Sequence, residues 1–320
     1  MDYFFTDGEF NQALEEKILP WARENLKEGY VDCFDDSSKR IHYAYALNPN
    51  ARGVVVVSHG FCEFITKFHE MLYFFYQAGY SVFMPEHRGH GFSHREVANP
   101  DIVHIDDFHT YVSDFENFFE KVVKEKAPEG PYILYAHSMG GAVGALFLER
   151  NPDLISKAIL TSPMIEMTKG GQPKILQDLI KSISYAPFLS KKFCIGQHGY
   201  DGVCKFEASS ARSEARYAYT MRERAREVNY HTYGASFAWI RESLNISKEI
   251  LKNAQKVKAS VILFQAGEDN LVVPEAQEAF AKDATDCKII KMPGCKHELY
   301  SETDEMREIY LLKILEFLEE

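Results

Sequence analysis

The sequence predicts an α/β class: one mostly parallel central sheet flanked by helices, with a helical lid inserted into it. Three observations carry this. Short continuous apolar runs at residues 53–58 (GVVVVS), 80–84, 132–135, 158–161 and 259–265 have strand length and suit strands buried on both faces. Helical segments alternate with them, as crossover connections between parallel strands require. The alternation lapses from Met164 to about Ser247 and then resumes. One core domain is therefore expected from residues 1–163 and 248–320, with residues 164–247 as an inserted cap.

Each element has its own reason. Residues 10–26 read as a helix bent or split at Pro20, because proline lacks an amide and crowds the preceding turn. Residues 29–34 and 41–47 read as strands joined in a hairpin by Asp35-Asp36-Ser37-Ser38. The four-valine strand ends in His59-Gly60-Phe61. A helix at 66–77 is closed by Gly79, and the strand after it ends in Pro85-Glu86-His87-Arg88-Gly89-His90-Gly91. Residues 106–126 read as a long helix, since Phe108, Tyr111, Val112, Phe115, Phe118, Phe119 and Val122 recur at helical spacing. Beyond the interruption come a strand at 259–265, a helix at 275–282, a strand at 288–292 and a last helix at 303–320.

Bulk properties narrow the function. The chain has 320 residues, 46% hydrophobic and 26% charged, ordinary for a globular protein, and a net charge of -11. That sign disfavours nucleic acid and electrostatic docking on anionic membranes. No apolar run reaches the ~20 residues a membrane helix needs. The aromatic run near the start has no basic flank and is followed by acidic residues, so it does not read as a signal. The six cysteines are scattered, with no C-x-x-C pair, which suits reduced thiols and a cytoplasmic setting; Cys194 and Cys204 alone are close enough in one loop region to consider pairing.

The chemistry centres on Ala136-His137-Ser138-Met139-Gly140, between a buried strand and a helix opened by small residues. A serine so placed either caps the helix or is the nucleophile of a sharp strand-to-helix turn, whose helix N-terminus favours developing negative charge. A serine nucleophile needs a base, and the base needs an orienting acid. In a parallel sheet both should follow later strands, in the order serine, acid, histidine. Asp269 lies in the turn after the strand at 259–265, with Glu268 as the fallback, and His297 lies in the loop after the strand at 288–292. Phe61, after the four-valine strand, and Met139, after the serine, are the expected backbone N–H donors of an oxyanion hole.

With these residues placed, the chain resembles the α/β-hydrolase superfamily, and within it the lysophospholipase and monoacylglycerol lipase group of serine hydrolases. The matching segments are His59-Gly60-Phe61-Cys62-Glu63, Arg88-Gly89-His90-Gly91-Phe92-Ser93, His137-Ser138-Met139-Gly140-Gly141, Gly267-Glu268-Asp269 and Lys296-His297-Glu298. The segment from Thr232 to Ser243 is similar to the lid exit of bacterial lysophospholipases. Ala136 stands where the group usually has glycine, and Phe64-Ile65 where it usually has His-Ser. The resemblance implies hydrolysis of a carboxylic ester of a lipid-like acyl substrate, with no cofactor or metal. Membrane contact is expected to be transient. A small-ester or thioester hydrolase on the same scaffold, or a ligand-binding protein with little turnover, are the alternatives. Dehalogenases and epoxide hydrolases of this fold use an aspartate nucleophile, so Ser138 argues against them.

Three other patterns invite readings. His87, His90 and His94 are near in sequence, but Gly89 and Gly91 argue for a structural loop rather than a metal site. Arg212, Arg216, Arg222, Arg224 and Arg226 are interleaved with Glu214, Glu223 and Glu227, which suits a solvated, salt-bridged helix better than a phosphate site. Met164, Ile165, Met167, Ile175, Leu176, Leu179, Ile180, Phe188 and Leu189 suit either an acyl pocket or the packed underside of a lid.

Overall fold

The computed structural model describes residues 4–168, 184–203 and 205–320. Its strands are β1 (Lys27–Asp32), β2 (Arg40–Ala46), β3 (Val54–Ser58), β4 (Ser81–Pro85), β5 (Ile102–Val103), β6 (Tyr132–His137), β7 (Lys157–Thr161), β8 (Gly234–Ala235), β9 (Ser260–Ala266) and β10 (Asp286–Met292). Eight of them form one sheet in the order β1-β2-β4-β3-β6-β7-β9-β10. The β1–β2 and β2–β4 pairings are antiparallel, and every pairing from β4 to β10 is parallel. β5 and β8 pair separately.

The period-two pleat explains why the central runs are apolar throughout. In β3, Val54 and Val56 enter the core on one face of the sheet, and Val55 and Val57 enter the core on the other. Leu134 and Ala136 oppose Ile133 and Tyr135 in β6 in the same way. Each buried valine, leucine or isoleucine among them contributes about 1.5–3 kcal/mol relative to exposure.

The longer helices among the described residues are α1 (Asp7–Ala13), α2 (Leu19–Asn25), α3 (His69–Gln77), α4 (His109–Phe118), α5 (Met139–Arg150), α6 (Glu214–Arg226), α7 (Phe237–Asn253), α8 (Pro274–Asp283) and α9 (Asp304–Glu319). Residues of α4, α5, α7 and α8 build one core layer; residues of α1, α2, α3 and α9 build the other. Two expected helices hold a wider turn. Leu14–Ile18 is a π turn just before Pro20, and Phe119–Val123 is another, continuing α4. Pro20 has no amide to offer the carbonyl four residues earlier, and the Leu19 amide reaches back to Leu14 instead.

The arginine-rich segment departs from expectation. Arg222, Glu223 and Arg226 do pair near the surface, but Arg216 and Arg224 are buried. Arg216 meets Glu70 of α3 at 2.7 Å, and Arg307 of α9 reaches the same carboxylate at 2.7 Å. Of the apolar residues weighed for a lid, Met164 and Ile165 are buried and Phe188 is exposed, while Ile175, Leu176, Leu179 and Ile180 lie outside the described residues. Cys194 is a buried free thiol, and Cys204 lies outside the described residues. α7 crosses the boundary expected at residue 247.

Strand order positions the site. β3 is flanked by β4 on one side and β6 on the other, with Ser58 opposite Ala136 at the carboxyl ends. The connections after β3 and β6 leave in opposite directions, and parallel sheets form their binding crevice at such a switch point.

Candidate active site

Ser138 follows β6 and precedes α5 with φ 52° and ψ -119°, a region residues with a Cβ rarely adopt. Close packing enforces the turn. A Cβ on Gly140 would lie 2.1 Å from the Ser58 carbonyl oxygen, and one on Gly141 would lie 2.5 Å from Pro163 Cβ. The Ala136 methyl fits because Gly144 faces it; a Cβ there would come 3.0 Å from that methyl. The Ser138 carbonyl accepts from the amides of Gly141 at 2.8 Å and Met164 at 2.9 Å.

The sheet brings the three sequence-predicted side chains together. Ser138 Oγ lies 2.7 Å from His297 Nε2, and His297 Nδ1 lies 2.6 Å from Asp269 Oδ2. The other Asp269 oxygen accepts from the amides of Leu271 at 2.9 Å and Val272 at 3.3 Å. Burial pushes this carboxyl up, but the His297 hydrogen bond, with those two amides, holds it below its ordinary value. An ionised Asp269 can only accept, so Nδ1 carries the proton and Nε2 presents its lone pair to the serine hydroxyl. Glu268 points elsewhere: it pairs with Arg212 near the surface.

Phe61 and Met139, the two expected amide donors, stand in the loop after β3 and at the start of α5. Met139 is the first residue of α5, where the amide has no partner within the helix. Among the described residues, no loop or turn backbone hydrogen bond takes the amide of either residue. Gly60 lets the chain pass close by; a Cβ there would come 3.1 Å from Ser138 Cβ.

Several other residues support the triad. Ser162, with φ 43°, follows β7 and donates from Oγ to the His297 carbonyl at 2.9 Å. Glu63 is buried behind the Phe61 loop. It accepts from the Gly60 amide at 2.5 Å and from the Tyr300 hydroxyl, and pairs with Lys67 at 2.9 Å. Lys67 also meets Glu298 at 2.9 Å, beside His297. Burial pushes the Glu63 carboxyl up, yet the Lys67 charge and the Tyr300 hydroxyl hold it well below the usual carboxylate range. His137 packs its ring 5.0 Å from that of His297, and burial lowers it to about 4, so it is neutral.

The histidines of the 87–94 loop have local partners. His87 Nε2 lies 2.9 Å from Ser58 Oγ, His90 Nδ1 lies 3.2 Å from the Arg88 carbonyl, and His94 lies 3.6 Å from Glu96. Burial drives His87 and His90 well below their ordinary value. Cys33, Asp35 and Asp114 are near enough together to hold a cation, but the Arg88 guanidinium already bonds both carboxylates.

Comparison with known proteins agrees with this architecture. The sequence model of the family described as "Serine aminopeptidase, S33" matches residues 49–304. Lysophospholipase L2 of Escherichia coli strain K12 is 28% identical over 271 residues, covering 82% of this chain and 79% of that protein. A monoglyceride lipase homolog of monkeypox virus is 26% identical over 292 residues, covering 91% of this chain and 94% of that protein. Among solved structures, a soluble variant of monoglyceride lipase from Saccharomyces cerevisiae in complex with a substrate analog superposes with a TM-score of 0.70. It is 21% identical, covering 92% of this chain and 94% of that one.

Proposed function

Because the chain belongs to the serine aminopeptidase S33 family and has the α/β-hydrolase fold, we propose that it is a serine hydrolase cleaving carboxylic esters of lipid-like acyl substrates, lysophospholipid or monoacylglycerol, through an acyl-enzyme. The observation that carries this reading is the unbroken chain Ser138–His297–Asp269 at 2.7 and 2.6 Å. In this reading Ser138 Oγ attacks the ester carbonyl carbon while His297 Nε2 takes its proton. Asp269 holds the histidine tautomer and stabilises the imidazolium. The Phe61 and Met139 amides receive the oxyanion. Collapse expels the alcohol, protonated by His297, and leaves the acyl group on Ser138. Water, deprotonated by His297, then releases the acid and restores the serine.

Residues 164–247 act as the lid that selects the substrate. Two features support this. The Val273 amide donates to the Glu166 carbonyl at 2.9 Å, lacing the start of the insertion to the Asp269 loop. The names of the lysophospholipase and monoglyceride lipase relatives favour a single-chain lipid ester. The family description names a peptidase, but Glu63, Glu268 and Glu298 beside the triad are engaged by Lys67 and Arg212, so none of them is free to receive a substrate ammonium.

The deciding assay compares hydrolysis of monoacylglycerol and lysophosphatidylcholine of matched chain length by wild type and Ser138→Ala, with an aminoacyl anilide alongside. Cleavage of either lipid by wild type and neither by the variant supports the reading, and the ratio assigns the head group. Cleavage of short model esters alone retains the triad and discards the lipid substrate. Anilide cleavage without ester cleavage overturns the reading.

A further inference from the structure

Arg224, in the last turn of α6, is buried close to the site and has no part in the chemistry above. Its Nη2 donates to the Cys62 carbonyl at 2.7 Å and its Nη1 to the Thr232 carbonyl at 2.8 Å. The guanidinium carbon sits 5.6 Å from the Phe64 ring centroid and 5.7 Å from that of Tyr233. Its recorded partners are thus carbonyls and aromatic faces, a costly setting for a buried cation. What it holds gives it a use.

Cys62 is the third residue of a turn closed by the Glu63 amide on the Gly60 carbonyl at 3.4 Å, and its φ is 60°. A turn with positive φ at that position suits glycine; a residue with a Cβ is strained there. Phe61, the expected oxyanion donor, is the residue just before it. The Gly60 amide is fixed from behind by Glu63 at 2.5 Å, and the Cys62 carbonyl is fixed from the lid side by Arg224. The Cys62 carbonyl shares a rigid peptide plane with the Glu63 amide, and the Gly60 carbonyl that this amide meets shares one with the Phe61 N–H, so holding the Cys62 carbonyl sets the direction of the Phe61 N–H through the turn. We propose that Arg224 is a positioning residue, which clamps the strained Cys62 turn from the inserted segment and so aims the Phe61 amide at the oxyanion.

This rests on the serine hydrolase reading, and the experiment separates the two. Arg224→Met, Arg224→Lys and the double variant Arg224→Met/Cys62→Gly are compared with wild type and Ser138→Ala. Active sites are counted by a serine-reactive fluorophosphonate. Removing an oxyanion donor outright costs roughly a hundred- to a thousandfold in kcat, so a displaced donor should cost about tenfold or more. The proposal expects that loss in Arg224→Met, with KM within about threefold of wild type and a smaller loss in Arg224→Lys. Affinity for an acyl-ketone inhibitor that forms the tetrahedral adduct should fall in parallel with kcat/KM. Cys62→Gly should recover part of the lost kcat in the Arg224→Met background, because the turn then needs no clamp. Should Arg224→Met fail to fold, Arg224→Lys carries the same comparison. A drop in melting temperature with unchanged kcat per active site would assign Arg224 a purely structural role and overturn the proposal. If Ser138→Ala keeps its turnover, the underlying reading fails and the proposal falls with it; if Ser138→Ala is inactive and the folded Arg224 variant turns over like wild type, only the proposal fails.

Discussion

At Ser138 the backbone strain is sustained by neighbours with no room to move. Gly140 is the sharpest case, since the atoms a side chain would strike, the Ser58 oxygen at 2.1 Å and the His59 oxygen at 2.5 Å, belong to backbone. Gly140→Ala should therefore cost at least the ~1–3 kcal/mol of ordinary overpacking, and chemical denaturation measures it. A variant as stable as wild type would show that the turn can shift. Two carboxyls make opposite pH predictions. Asp269 is held below its ordinary value, so its native bonds add stability that is present above the normal aspartate range and lost as pH falls through the native pKa. Asp269→Asn should flatten that acid limb and, by leaving the histidine in the wrong tautomer, lower kcat by about ten-thousandfold. Glu149 is the reverse: burial raises it to about 8, and one carboxyl oxygen is buried without a partner. The native state then binds the extra proton between the ordinary glutamate value and 8, so stability is full at acid pH and declines across that window. Glu149→Gln should leave the melting temperature at pH 5 nearly unchanged and raise it at pH 8, where the gain in stability is on the order of a few kcal/mol. Equal shifts at both pH values would locate the effect in packing instead. Glu149 shows the limit of sequence reading at this scale, because nothing in Leu148-Glu149-Arg150 says that the middle side chain is buried.

Elements were legible where period and burial agree. The valines of β3 alternate between two cores and so announce a central strand, and the strands that precede Asp269 and His297 could be ordered by the same signal. The π turns at Leu14–Ile18 and Phe119–Val123 could not, because adjacent apolar pairs such as Phe118-Phe119 and Val122-Val123 also fit a broad helical face. The arginines of α6 misled for a related reason. Alternating charge reads as a solvated face, yet Arg216 crosses to Glu70, and Arg307 reaches the same carboxylate from α9. Burial raises the Glu70 carboxyl, but the two guanidiniums more than offset it and leave it lowered. α3, α6 and α9 thus share one buried anion, and Arg216 and Arg307 both donate to the Phe5 carbonyl near the start of the chain. Glu70→Gln should destabilise the protein by about 3–5 kcal/mol, since it leaves buried cations uncompensated. Urea titration would read this as a lower midpoint at unchanged slope. A loss under 1 kcal/mol would mean that water reaches the guanidiniums.

Across the whole molecule, the sheet order does what the sequence could only imply: it sets the loops after β6, β9 and β10 at the carboxyl end of the parallel strands, where Ser138, Asp269 and His297 meet. The segment from 164 to 247 is less legible in the sequence, because its mixed apolar residues carry no single period. Net charge acts at this scale without reference to fold. At -11 the protein is repelled by an anionic interface, and the repulsion is screened over a Debye length of about 30 Å at 0.01 M salt but only about 8 Å at 0.15 M. Among the described residues no helix is long and apolar enough to cross a membrane. Turnover of a zwitterionic lysophospholipid presented in anionic vesicles should therefore rise with salt over that range, while turnover of the same lipid in zwitterionic vesicles stays flat. The paired measurement isolates the interface, since substrate, active site and ionic conditions are common to both arms. A fall with salt on the anionic vesicles would mean that a local basic surface outweighs the net field, and Lys191 and Lys192, beside the exposed Phe188, would be the first residues to neutralise.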